Sequence, residues 1–167
     1  MTWFSTEFEI FEEEFSRHIS HADVRTAAET TYIFAFVRQP LARLYSAYAD
    51  KIRDAQREGR RNIFACHNLH FGMPFDEFVE KACEIDDRHI DRYLRSQSWF
   101  LADEEGLIPD LIGHLESFNA DWHRLRADSP AFGEMPHLNL AASDTDFLTQ
   151  YSSRAPDLAS KRFAREA

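Results

Sequence analysis

The chain has 167 residues, 44% apolar and 29% charged, with five glycines and six prolines. That fits one globular domain over 1–167 and excludes a disordered, collagen-like or low-complexity chain. The net charge of −10 excludes general nucleic-acid binding, which draws most of its affinity from a basic field. The longest apolar run, Tyr32 to Val37, is far short of the roughly 20 residues that span a bilayer, and Glu7, Glu9 and Glu12 to Glu14 exclude a leader peptide.

Phe4, Phe8, Phe11, Phe15 and Ile19 recur at steps of three and four, which predicts an amphipathic helix over 5–19. Thr31 to Val37 is β-rich and apolar on both faces, the pattern of a parallel strand covered on both sides. Pro40 suits a first helical turn. Leu41, Leu44, Tyr45, Tyr48 and Ile52 continue a buried face toward Glu58, and Gly59 stands where that helix stops. Residues 59–73 read as a loop. Pro74 opens a helix with Phe75, Phe78, Val79 and Ala82 inward. Residues 86–102 read as partly helical, Pro109 to Glu116 as a short buried strand, and Asn119 as the cap of a helix through Leu125. Pro136 to Leu140 reads as a loop or short strand, and Asp146 to Tyr151 and Pro156 to Ala167 as terminal helices. Two cysteines, Cys66 and Cys83, give one disulfide at most, which predicts a reducing, cytoplasmic compartment with membrane association left open.

Charge is unevenly spread. Seven basic residues (Arg38, Arg43, Lys51, Arg53, Arg57, Arg60, Arg61) face only Asp50, Asp54 and Glu58 between positions 38 and 61. The stretch is either a solvated helix face laced with ion pairs or the wall of an anion site. Arg38 ends the strand just before the helix begins, and ligands of open α/β sheets sit at the carboxyl ends of strands. A helix N-terminus there offers backbone N–H groups and a positive dipole end. Arginine adds a planar, always-charged fork, and Ser46 a hydroxyl in the second turn. Arg38 and Ser46 are therefore the candidate anion site. The alternative is a structural arginine and a serine bonded back to its own helix.

The run from Phe36 to Tyr48 resembles the 3′-phosphate-binding motif of the carbohydrate sulfotransferase superfamily, in particular family 2 of bacterial type. That motif reads Arg, usually Asp, Pro, two residues, Arg, two residues, Ser, one residue, Tyr. Arg38, Pro40, Arg43, Ser46 and Tyr48 match it, with Gln39 in place of Asp. Pro74 to Val79 is similar to the family's Pro-Phe-x-x-Phe-Val helix start. Asp91 to Gln97 resembles its Asp-x-His-x-x-Pro-Gln stretch, with Tyr93 and Ser96 in place of His and Pro. Asp110 to Glu116 resembles its Asp-x-Ile-Gly-x-x-Glu strand, Pro136 to Asn139 its Pro-x-x-Asn loop, and Phe163 to Glu166 the start of its last helix. The resemblance spans residues 32–166.

It implies an α/β, helix-rich, P-loop-NTPase-like fold, here incomplete: a small parallel sheet with flanking helices. It implies transfer of a sulfuryl group from 3′-phosphoadenosine 5′-phosphosulfate to a hydroxyl or amine of a sugar or other small acceptor, with no metal. Arg38 and Ser46 would bind the donor's 3′-phosphate, Arg43 would brace the turn, and Gln97 would contact donor or acceptor. The family's opening phosphate loop, of the His-x-Pro-Lys-x-Gly-Thr-Ser type, has no counterpart, since no glycine precedes Gly59 and the first lysine is Lys51. The family's closing Phe-Gly-Tyr is missing as well. Residues 1–167 alone are therefore expected to be inactive and to leave a sheet edge unpaired. A non-enzymatic nucleotide-binding or interaction module of the same descent stays open. The catalytic base is unassigned, with His18, His21, His67 and His70 as candidates by type. Cys66, His67 and His70 offer three zinc ligands at a spacing that matches no common zinc frame.

Overall fold

A computed structural model describes residues 20–128 and 154–163. The helix expected over 5–19, the Pro136 to Leu140 loop and the helix expected over Asp146 to Tyr151 lie outside them. The first described helix, α1 (His21–Ala28), is one that periodicity does not announce. Local capping starts it. The Ser20 hydroxyl accepts from the Asp23 N–H, and the Asp23 carboxylate accepts from the Ser20 N–H, closing a capping box. Its last carbonyls are taken by turns, with Thr30 N–H and Thr31 N–H both donating to Ala27 C=O. That turn consumes residues read as strand, so β1 (Phe34–Val37) starts later than expected.

α2 (Pro40–Tyr48) follows two residues on, with proline in its first turn. Its course to Gly59 is not one regular α-helix. A π-helical stretch, Ala49–Asp54, precedes a single turn, α3 (Ala55–Arg57). Ile52 and Ala55 are buried there. Gly59 ends the run at φ +66°. Gly59 N–H donates to Gln56 C=O and Arg60 N–H to Ala55 C=O, a Schellman ending for which glycine is the natural residue. α4 (Phe75–Glu84) buries Phe75, Phe78, Val79 and Ala82, the face its spacing predicts.

A short helix, α5 (Ser98–Leu101), leads into an antiparallel hairpin of β2 (Ala102–Asp103) and β3 (Gly106–Leu107). The Arg25 fork ties α1 to this hairpin, donating to Asp103 at 2.5 and 2.6 Å and to Gly106 C=O at 3.1 Å. β4 (Leu111–His114) then pairs with β1 in parallel, in the register Phe34–Leu111 to Val37–His114. α6 (Phe118–Asp128) begins one residue before Asn119, so Asn119 does not cap it. A 3-10 turn, Leu115–Ser117, leads in instead. α7 (Arg154–Arg162) closes the described chain.

The core lies among the helices and the turns that join them. Leu44, Tyr45, Ile52, Phe64, Leu69, Met73, Phe75, Phe78, Leu94, Ala155 and Phe163 form one buried cluster. Each large side chain fully withdrawn from water contributes about 1.5–3 kcal/mol. Arg162 locks α7 onto this body. It donates to Asp87 at 2.6 Å, to the Ser96 hydroxyl at 3.1 Å and to Ile85 C=O at 3.2 Å. β1 differs from expectation, because all four of its residues are only half-buried. Among the described residues its sheet has two strands, too few to cover a strand on every side. Both cysteines are free, and burial pushes the Cys83 thiol up to about 11. Among the described residues no helix is long and apolar enough to cross a membrane.

Candidate functional site

The carboxyl end of β1 is where Arg38 and Gln97 meet, and Ser46 lies in the helix that follows. Arg38 follows Val37 directly, and Gln39 caps α2. The Gln39 side-chain oxygen accepts from Ala42 N–H at 3.0 Å. That is the work a capping aspartate does, so glutamine at this position keeps the helix start. It also corrects one expectation. Pro40 has no N–H, and the Ala42 N–H is spent on Gln39. Two of the first three helical positions therefore have no free N–H to offer an anion.

The basic stretch divides in the same way. Lys51 pairs with Asp50 at 2.7 Å, Arg53 with Asp54 at 3.0 Å, Arg57 with Asp54 at 3.4 Å, and Arg60 with Asp50 at 2.9 Å and Glu58 at 2.8 Å. Arg43 reaches the Arg92 carbonyl at 3.3 Å, so it braces a neighbouring turn. Tyr48 donates its hydroxyl to Met73 C=O at 2.8 Å. Most of the stretch is thus the ion-paired helix face. Among the described residues, the half-buried Arg38 guanidinium and the half-buried Ser46 hydroxyl have no polar partner. A half-buried guanidinium left uncompensated at a strand's carboxyl end is suited to a phosphate or sulfate oxygen pair.

Other segments hold β1 at both ends. Asp110 takes Ile33 N–H on its carboxylate at 2.8 Å, and its own N–H donates to Ile33 C=O at 2.8 Å. At the far end, the Glu116 carboxylate accepts from Gln39 N–H at 2.8 Å. Between them Gly113 lies opposite Phe36. A methyl there would stand 2.5 Å from a Phe36 ring carbon, and that ring is packed on Phe118 and Trp122. Three of the four fixed residues of Asp-x-Ile-Gly-x-x-Glu, namely Asp110, Gly113 and Glu116, therefore each have a mechanical task. Gln97 reaches the same exit. Its side-chain oxygen accepts from Arg38 N–H and its amide nitrogen donates to Arg38 C=O, both at 2.8 Å.

Two groups here escaped sequence reasoning. His114 ends β4 beside Val37 and is exposed. Asp121 is buried, and its carboxylate accepts from the Ser117 hydroxyl at 2.6 Å, His114 N–H at 2.9 Å and Arg124 at 3.1 Å. Bonds from Ser117 and from the His114 backbone, with the Arg124 charge, hold its carboxyl down at about 2. Its oxygen lies 3.7 Å from His114 Nδ1. The position of His114, near the end of a predicted strand, was the available signal. Of the histidines chosen by type, His67 is half-buried in a 3-10 turn and His70 is exposed with Nδ1 3.2 Å from Phe71 C=O. His18 lies outside the described residues, as does the His21 side chain. Among the described residues no three His, Cys, Asp or Glu side chains gather as a metal site.

No curated protein and no solved structure matches the chain. A family model does match, that of the sulfotransferase family, over residues 3–165. The match reaches further toward the N-terminus than the motifs did, and it takes in the Arg38 exit, the Gln97 stretch and the Asp110 to Glu116 strand together. The chain belongs to the sulfotransferase family.

Proposed function

We propose that this chain serves transfer of a sulfuryl group from 3′-phosphoadenosine 5′-phosphosulfate to a hydroxyl or amine of a carbohydrate, with Arg38 and Ser46 holding the donor's 3′-phosphate. In that reaction the bond from sulfur to the phosphate oxygen breaks. A bond from sulfur to the acceptor forms, the acceptor's proton leaves, and adenosine 3′,5′-bisphosphate is released. One observation supports the nucleotide role above the others. Arg38 is fixed through its backbone at a strand's carboxyl end, while Lys51, Arg53, Arg57 and Arg60 of the same basic stretch pair with carboxylates and Arg43 bonds the Arg92 carbonyl.

The 5′ side of the donor needs its own cradle, and the first glycine of these residues is Gly59. Positioning and electrostatic stabilisation carry nearly all of related phosphoryl-type catalysis. Residues 1–167 by themselves are accordingly expected to bind nucleotide without turnover, and the localisation expected is cytoplasmic. Titration calorimetry tests the reading. Adenosine 3′,5′-bisphosphate should bind more tightly than adenosine 5′-phosphate, and Arg38→Ala should remove about 2–5 kcal/mol of that binding. Equal affinity for the two nucleotides would sink the assignment. Turnover of labelled donor by these residues alone, over a panel of sugars, would overturn the inactivity.

A further inference from the structure

We infer that Gln97 and Glu116 are positioning residues that set the Arg38 guanidinium for the 3′-phosphate, an inference that rests on the nucleotide reading above. The β1–β4 ladder ends at Val37 and His114. Beyond it lie three consecutive backbone groups, Arg38 N–H, Arg38 C=O and Gln39 N–H, which the ladder does not serve. The two groups of Arg38 are part-buried, and backbone groups withdrawn from water require partners, while the Gln39 N–H lies at the exposed edge. Side chains from two remote segments supply them.

The Gln97 amide meets both groups of Arg38 at 2.8 Å. An amide has one acceptor and one donor end, so Gln97 pairs with Arg38 as another strand would. Glu116 takes the next N–H, that of Gln39, at 2.8 Å. Together they fix the backbone on both sides of the Arg38 α-carbon, and so the direction in which its side chain leaves. Gln39, held in this way, caps α2, the helix that carries Ser46. One bracket therefore sets both proposed phosphate contacts.

The chemistry of position 97 fits this task. A glutamate there would lack the donor for Arg38 C=O and would place a negative charge against the Arg38 backbone. The neutral amide holds the backbone and leaves the cation's charge for a ligand. Ordering long side chains costs conformational entropy, and here the bonds they make lie at one strand exit.

The test is calorimetry with adenosine 3′,5′-bisphosphate and adenosine 5′-phosphate on the full chain, in the parent and in Gln97→Met, Glu116→Ala and Glu116→Gln, each with and without Arg38→Ala. Gln97→Met should weaken the bisphosphate about tenfold, the scale of an unpaired buried backbone group, and leave the 5′-phosphate within about twofold. In the Arg38→Ala background it should add nothing, because residues acting through one another are not additive. Glu116→Gln, which keeps an acceptor oxygen, should retain the preference that Glu116→Ala loses. An unchanged preference in both Gln97→Met and Glu116→Ala would overturn the inference. So would a further loss on Arg38→Ala, which would mark direct ligand contact, or equal weakening of both nucleotides, which would mark a merely structural role. A parent protein that ignores the 3′-phosphate would overturn the nucleotide reading itself, and the inference with it.

Discussion

Two halves of this molecule are held together by different physics. Around Phe78 the chain is packed, with Phe64, Phe78, Leu94 and Leu44 essentially closed to water and aromatic rings 5–6.5 Å apart. Around β1 every strand residue is half-buried. Besides the ladder with β4 and the Phe36 ring on Phe118 and Trp122, that strand is held by polar brackets from Asp110, Gln97 and Glu116. Apolar burial is non-directional, so it fixes a core without fixing the aim of any one group. Hydrogen bonds are directional. The half that carries Arg38 is the half where directional contacts add to the packing.

The comparison breaks if the two halves respond alike to substitution. The largest effect belongs to the packed half. Phe78→Ala should cost about 3–5 kcal/mol in denaturant unfolding, and a loss near zero would mean the core is not where stability resides. Next comes Gly113→Ala, which drives a methyl into the packed Phe36 ring. It should cost about 1–3 kcal/mol and also weaken adenosine 3′,5′-bisphosphate, because β1 delivers Arg38. A stability loss with nucleotide affinity unchanged would separate strand from site. The smallest effect appears only in acid. The Asp121 carboxyl is held at about 2 in the folded chain, below its ordinary 3.8. A depressed carboxyl contributes stability that is full above about pH 4 and is lost as pH falls toward 2. The stability difference between parent and Asp121→Asn should shrink over that window, as thermal melts would show. A constant difference across it would refute the assignment.

What could be read from the sequence follows the same division. The inner face of α4 and the stop at Gly59 rest on local periodicity and local backbone freedom, so they were legible. Arg38 was legible because a strand end followed by proline is a local pattern. The capping box at Ser20 was local too, yet it fell in a stretch whose apolar spacing said nothing. The π-helical turn and the early start of α6 depend on packing against the rest of the chain. The bracket was hidden for a stronger reason. Gln97 and Glu116 meet Arg38 and Gln39 from 59 and 77 residues away, and nothing in their own neighbourhoods announces the partner. Gln97 was singled out by resemblance as a contact of donor or acceptor, and its bonds to the Arg38 backbone were not foreseen.

The parallel pairing of β1 with β4 also orders events in time. Nearly half the chain, including α2 and α4, lies between Val37 and Leu111. Closing so long a loop costs entropy before any ladder bond is gained, and pairings distant in sequence slow folding. The helices between the strands make nearer contacts with one another and are placed to condense before the sheet zips, while α7 joins that body from as far along the chain. Phe78→Ala would then slow folding, while Gly113→Ala would mainly speed unfolding. The exit of β1 would be the last piece assembled and the first released, so a bound nucleotide would act as a clasp on the step that finishes the fold.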